Sequence, residues 1–250
     1  MPDEPRLEEQ ALSEAAQRTI AAQLDEVENI EVAVRTDLLK IIQGQADSAS
    51  LTAQGMVMQK DIRVQEMELH VQSIAVDLLS AILGQIELDK PLDAHARLVL
   101  TEKDINRALS GDYIRSKFQT LELNLNGEMV TLTPQQLEVY LPEDDKMGFS
   151  GTIVLHEMGK TRCVSFNALL RPRTISQPLL LEAFHCTEGD GISLELAIAF
   201  LNKANELVNL PYFELQGMAL RVKQLDVQKG RLTLHTEAYI KQFPHLNLEE

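Results

Sequence analysis

His156–Lys160 reads His-Glu-Met-Gly-Lys. It opens like a zinc-binding helix, in which histidines at i and i+4 share a face and the glutamate between them serves as general base. Lys160 holds the second histidine position, and the flanking residues alternate like a strand. No metal site is expected there. The six histidines are scattered without ligand spacing. Neither G-x-x-x-x-G-K-[ST] nor G-x-G-x-x-G occurs, so no phosphate-cradling loop and no cofactor are expected. Carboxylates are plentiful, but none sits on a recognisable acid–base scaffold, and they read as a solvated face. Residues far apart in sequence can still form a catalytic site, yet nothing here signals one, and a non-enzymatic protein is expected. Cys163 and Cys186 lie in apolar, strand-like runs and read as buried, reduced thiols.

The 250 residues are 44% apolar and 24% charged, the profile of a soluble globular protein with ample material for a core. The net charge of −15 opposes nucleic-acid binding, which needs a phosphate-neutralising surface. The charge is uneven. Residues 1–31 carry nine acids and two bases, whereas 158–181 carry Lys160, Arg162, Arg171 and Arg173 and no acid. No run of 18 apolar residues occurs, and MPDEPRLEEQ lacks the basic and apolar regions of an export signal. A cytoplasmic location is expected, with peripheral membrane contact left open by the basic segment.

The elements that would position these groups follow from periodicity. Leu12, Ala16, Ile20 and Leu24 recur every four residues and predict a helix over 6–27. NIEVAVR is a strand, and DLLKIIQG is a short helix capped by Thr36 or Asp37 and stopped at Gly44. Ser48–Ser73 reads as two long strands around a turn at 59–61, and PLDAHARLVL as another strand. Thr101 and Asp104 form a capping box for a helix that falters at Ser110–Gly111. Alternation persists from Lys117 to Glu188, with a hairpin at Asn126–Gly127. The helix at 191–210 is apolar on nearly all sides in its first half, so it should be buried by its surroundings. YFELQGMALRVKQLDVQ and RLTLHTEAYI close the chain as strands joined at Lys229–Gly230.

LTAQGM (51–56) is echoed by FELQGM (213–218). The echo reads either as two helix-plus-hairpin modules in one sheet or as coincidence. Gly55 and Gly217 inside strand patterns suggest a bulge, or a bend where a sheet curls or another backbone approaches. The expected fold is α+β: one curled antiparallel sheet wrapped around a buried helix, with an acidic N-terminal helix (1–28) belonging to the same unit as a single domain over 29–245.

VAVRTDLLKIIQGQADSASLTAQGMVM, followed by DIRVQEMELHVQSIAVDLLSAILGQIELDKPLDAHARLVLTEKDINRAL, resembles the LmeA-like phospholipid-binding proteins, a bacterial family similar to the tubular lipid-binding proteins. The resemblance is strongest over residues 32–109 and looser to the end. It implies a lipid-holding sheet that curls around helix, and non-enzymatic binding, with or without transfer, of a phospholipid or similar amphiphile. The alternative is a protein-interaction or structural module with a filled core and no ligand.

If lipid is bound, Met56, Met58, Met67 and Met218 on the echo strands are candidate lining residues, because methionine adapts to irregular apolar partners. Packing against a helix with no cavity left is the other reading of the same residues. Leu78, Leu79, Ile82 and Leu83 form either an apolar mouth that touches a membrane or a plug of the core. Arg171 and Arg173 are candidates for an anionic-lipid contact, since guanidinium forks match phosphate geometry. Pairing with neighbouring acids is their bland alternative.

Overall fold

Alternating apolar and polar residues dominate this chain, and they build two antiparallel sheets. The computed structural model describes residues 6–22, 24–58, 61–75, 88–117, 120–125, 128–157, 159–172, 179–189, 191–193, 195–199, 202, 213–215 and 218–240. Helix α1 (Leu7–Ala21) precedes β1 (Asn29–Arg35), the short helix α2 (Leu38–Ile42), and the long strands β2 (Gln45–Met58) and β3 (Ile62–Ala75). Strand β4 (Leu92–Thr101) runs directly into α3 (Glu102–Ser110), which α4 (Asp112–Lys117) follows. Then β5 (Leu121–Leu125), β6 (Glu128–Tyr140), β7 (Met147–Glu157), β8 (Lys160–Arg171) and β9 (Leu180–Glu188) form a five-stranded meander in chain order. β10 (Phe213–Leu215), β11 (Met218–Gln228) and β12 (Arg231–Ile240) return to the first sheet, whose order is β1-β2-β3-β4-β12-β11-β10.

Local sequence signals explain many of the boundaries. Asp37 caps α2 by accepting the Lys40 amide at 3.0 Å. At α3 the Thr101 hydroxyl accepts the Asp104 amide while the Asp104 carboxylate accepts the Thr101 amide, the expected capping box. The Asp104 carboxylate is also paired with Arg63 at 3.0 Å. Helix α1 lies along the outer edge of β1. Its Ser13 hydroxyl accepts the Val34 amide at 2.9 Å, and its Glu9 carboxylate accepts the Thr36 amide at 3.0 Å. One residue per helical turn thereby meets every second strand residue, because four helical residues and two strand residues both advance about 6 Å. The edge of the sheet is blunted by this pairing. The amides of Arg6 and Thr36 hold the Glu9 carboxyl below its ordinary pKa.

Register makes the middle of the seven-stranded sheet two-faced. Leu51, Leu69, Ala96 and Thr236 form one cross-strand row. The next row, Ser50, His70, His95 and Glu237, must point to the opposite face. The five-stranded sheet packs Leu123, Val130, Leu155, Val164 and Phe166 into a second core. The two sheets meet around Leu141, which is 1% exposed and clusters with Val139, Val227 and Leu232. Asn106 of α3 both donates to the Val139 carbonyl and accepts its amide, each at 2.7 Å, and Gly230 donates to the Leu141 carbonyl.

Several expectations are corrected. The described strands form two sheets rather than one, and neither of these closes into a barrel. EMVTLT and LEVYL are one strand, β6, with the register shifting at Pro134–Gln136, where proline's missing N–H is tolerated. The described helical turn at 195–199 is one-sided: Leu196 is buried, while Glu195 and Ile198 are exposed. A sheet wrapped around that helix is not what the described residues show. Cys163 and Cys186 are exposed free thiols, not buried ones. On β8 the core face is taken by Val164, Phe166 and Ala168, which turns Cys163 outward. Cys186 stands near the end of the edge strand β9.

The two echo segments differ locally. LTAQGM runs unbroken within β2, with Gly55 at φ +58° and the Glu28 side chain filling the space of a would-be Cβ. FELQGM is divided between β10 and β11, which pair with each other. The two hairpins, β2–β3 and β11–β12, do share one sheet and flank β4.

Candidate functional site

An open concave surface lies on the five-stranded sheet. Its edge strand β5 has the sequence LELNL and buries Leu123. Leu121 and Leu125, two residues to either side, pack partly against the same core. Across from them stands the helical turn at 195–199. Leu196, 1% exposed, pins that turn onto the sheet. Ser193 starts it by accepting the Leu196 amide at 3.2 Å. The approach to the turn is fixed from β8. Arg162 donates to the Gly191 carbonyl and pairs with Glu157 at 3.1 Å. Gly189, at φ +92°, lies so close to the Cys163 carbonyl that a Cβ would collide with it.

Between strand and helical turn runs an open groove of about 970 Å³. Its apolar lining includes Leu121, Leu125, Met129, Ile198 and Ala199. Met129 is 56% exposed and Ile198 50% exposed, and both line the groove; Met129 stands opposite Asn124, on the other face of the strand pair from Leu123 and Val130. Its polar lining includes Glu122, Asn124 and Glu195, and none of the described lining residues is basic. The volume is at the upper end of the roughly 300–1,000 Å³ spanned by small-molecule sites. The arrangement can hold an aliphatic chain against leucine, isoleucine and methionine, with carboxylates at the rim. Among the described lining residues no nucleophile is paired with a base.

Among the described residues, none of Met56, Met58, Met67 and Arg171 lines this groove. Met56 is 3% exposed and packed with Ile30, Leu51 and Ala53, and Met58 and Met67 lie partly buried against the same cluster, where Ile20 and Leu24 also pack. Met218 opens β11 opposite Ile240. Leu78, Leu79, Ile82, Leu83 and Arg173 lie outside the described residues. Arg171 closes β8 at the end opposite Arg162, about 30 Å away along the strand. It pairs with Glu182, and Lys146 pairs with Glu143 at 2.7 Å and Glu182 at 3.4 Å. Arg171, Lys146, Asp144 and Asp145 line a small pocket of about 360 Å³.

The fold also gathers histidines that sequence spacing left scattered. His70 and His95 are direct cross-strand partners, and His235 faces Arg97 on the same polar face. They line a shallow concavity of about 520 Å³ together with Glu68, Arg97, Lys223 and Glu237. Ion pairs Arg97–Glu68 (3.0 Å) and Lys223–Glu237 (3.1 Å) neutralise its fixed charges. Among the described residues no group of three histidine, cysteine or carboxylate side chains is placed to hold a metal. No described helix is long and apolar enough to cross a membrane.

No curated protein and no solved structure matches the chain. The family model for LmeA-like phospholipid-binding proteins matches residues 4–237, nearly the whole sequence and far beyond the segment 32–109 where the resemblance is most legible. The chain belongs to the LmeA-like phospholipid-binding family.

Proposed function

We propose that the protein binds a phospholipid or similar amphiphile without chemical turnover, lays an acyl chain in the groove between β5 and the 195–199 turn, and passes the lipid to or from a membrane. The observation that carries this reading is the pair of half-exposed side chains, Met129 and Ile198, lining one open groove beside a filled core. Large apolar surface left bare in a concavity is a binding feature. Each methylene covered contributes about 0.8 kcal/mol. A few covered methylenes therefore outweigh the roughly 1 kcal/mol of a single basic residue near a headgroup. The rim sets headgroup preference. Glu122 and Glu195 are acidic and no described lining residue is basic, so an ammonium-bearing headgroup fits the rim and a purely anionic one is repelled.

Native mass spectrometry of the purified protein, with extraction of any co-purified lipid, tests the reading. The expected result is one lipid per chain, enriched in amine-bearing phospholipids. A clean apo mass, together with no uptake of added short-chain phosphatidylcholine, would overturn it.

A further inference from the structure

Four large aliphatic side chains stand nearly bare at one end of the protein. Leu38, Leu39 and Ile42 of α2 are 60%, 73% and 72% exposed, and Leu7 at the start of α1 is 81% exposed. The first three share a single helix of five residues. Leu7 belongs to the same end, because Glu9, two residues on, accepts the Thr36 amide, and α2 begins two residues after Thr36. This end is the far end of the seven-stranded sheet. Helix α2 joins the finish of β1 to the start of β2, and β2 then runs from Gln45 to Met58, about 43 Å, before the chain turns back. The other sheet attaches at the opposite end, through α3 and the β11–β12 turn.

We propose that this tip docks the protein on a lipid bilayer by inserting α2 and Leu7 into the interfacial zone. The inference rests on the reading that the protein binds phospholipid. Three observations select a bilayer as the occupant. First, the patch is aliphatic throughout, whereas the energetic centres of protein interfaces are enriched in tryptophan, tyrosine and arginine. Second, the end is electrically quiet on a chain of charge −15. Lys40 pairs with Asp37 (3.6 Å) and with Asp47, and Arg35 pairs with Glu9 (3.5 Å). Each of these acids is paired, though Lys40 serves two of them and one acid is left in excess, so the patch carries no basic excess that would demand an anionic leaflet. Third, the sheet behind the tip is aliphatic on one face, beginning with the buried Val71 and Ala94. Leu69, Met67, Leu98 and Leu100 lie partly buried on one face between the tip and the inter-sheet junction. A lipid withdrawn from a bilayer at this end meets aliphatic side chains, not water.

The test is vesicle co-flotation of the full chain carrying Leu39→Ser and Ile42→Ser. Both residues are more than 70% exposed, so folding should be spared, and unchanged thermal unfolding checks this. Binding to phosphatidylcholine vesicles is expected to fall at least about tenfold, the loss of two inserted aliphatic side chains. Including a minority of phosphatidylglycerol should change wild-type binding by less than about twofold, since the tip has no net cationic excess. Binding of monomeric short-chain phosphatidylcholine, measured without vesicles, separates this proposal from the groove. It should be equal in wild type and variant. A wild type that binds monomeric lipid but ignores vesicles would sink the tip and spare the groove. Vesicle binding without monomeric-lipid binding would do the reverse. Undiminished flotation of the variant, or a wild-type dimer that the substitutions convert to monomer, would overturn membrane docking, the latter assigning the patch to a second copy.

Discussion

Truncating Ile198 and Met129 to alanine is the sharpest perturbation of the groove. Both line it, at 50% and 56% exposure. Fully burying a side chain of this size contributes about 1.5–3 kcal/mol. An acyl chain that covers the exposed half therefore gains about 0.8–1.5 kcal/mol at each residue. The double variant should lose about 1.5–3 kcal/mol of affinity, which raises Kd roughly 10- to 140-fold. Stability should change far less, because the half that packs against the sheet is shortened at positions already open to solvent. Leu196→Ala is the matched control. It lies in the same helical turn but is 1% exposed, so it should cost about 2–5 kcal/mol of folding stability. Calorimetric titration with monomeric short-chain phosphatidylcholine reads the affinity, and urea unfolding reads the stability. If the double variant binds as tightly as wild type while folded, the groove does not hold the acyl chain.

Asp104 makes folding sensitive to acid. Burial opposes ionisation there, but the Thr101 hydroxyl and amide and the Arg63 guanidinium together hold its pKa below the ordinary carboxylate value. A carboxylate with a lowered folded pKa contributes stability above its unfolded pKa and loses it as pH falls through the folded one. Asp104→Asn should therefore lower the urea midpoint at pH 7, and the gap to wild type should narrow below about pH 4; a gap that stays constant with pH would be the contrary result. Gly55→Ala should destabilise the protein by about 1–2 kcal/mol, the cost of a left-handed backbone for a residue with a Cβ. It must also displace the Glu28 side chain, which pairs with Arg63 at 2.8 Å, so a variant as stable as wild type in urea would show that the strand relaxes there.

Much of the fold was legible because its signals are local. The caps at Asp37 and Thr101, the turn at Gly230 and the alternation of β2, β3, β4 and β12 depend on residues within a few positions of one another. Partition into two sheets was not legible. A strand of alternating residues specifies a buried face but not which strands lie beside it, and the meander from Leu121 to Glu188 gives no sign that it pairs only with itself. The apolar first half of the 191–210 helix was misleading for a related reason. Its hydrophobic residues surround the helix in projection, yet at 195–199 only Leu196 meets the core, and Ile198 faces the groove. An apolar residue that waits for a ligand and one that packs in a core look the same in sequence. The methionines show the converse. Chosen for adaptability, Met56 is instead closed into the α1-side core.

Groove and tip can be perturbed separately because the fold keeps them apart. Met129 belongs to the five-stranded sheet and Ile198 to the helical turn packed on it, while Leu39 and Ile42 stand at the far end of the seven-stranded sheet. Between them lies a junction with little freedom. Asn106 binds both backbone groups of Val139, as a neighbouring strand would, and Glu102 accepts the Leu141 amide at 2.8 Å. Leu141, Val227 and Leu232 are packed around the same point. Buried backbone groups satisfied by side chains, set beside a filled apolar cluster, resist relative motion of the two sheets. On the proposed reading of groove and tip, a lipid that enters at the tip would have to move along the protein to reach the groove, since a rigid junction does not swing the groove to the bilayer. The face between groove and tip carries Leu69, Met67, Leu98 and Leu100, each partly buried against the α1-side core.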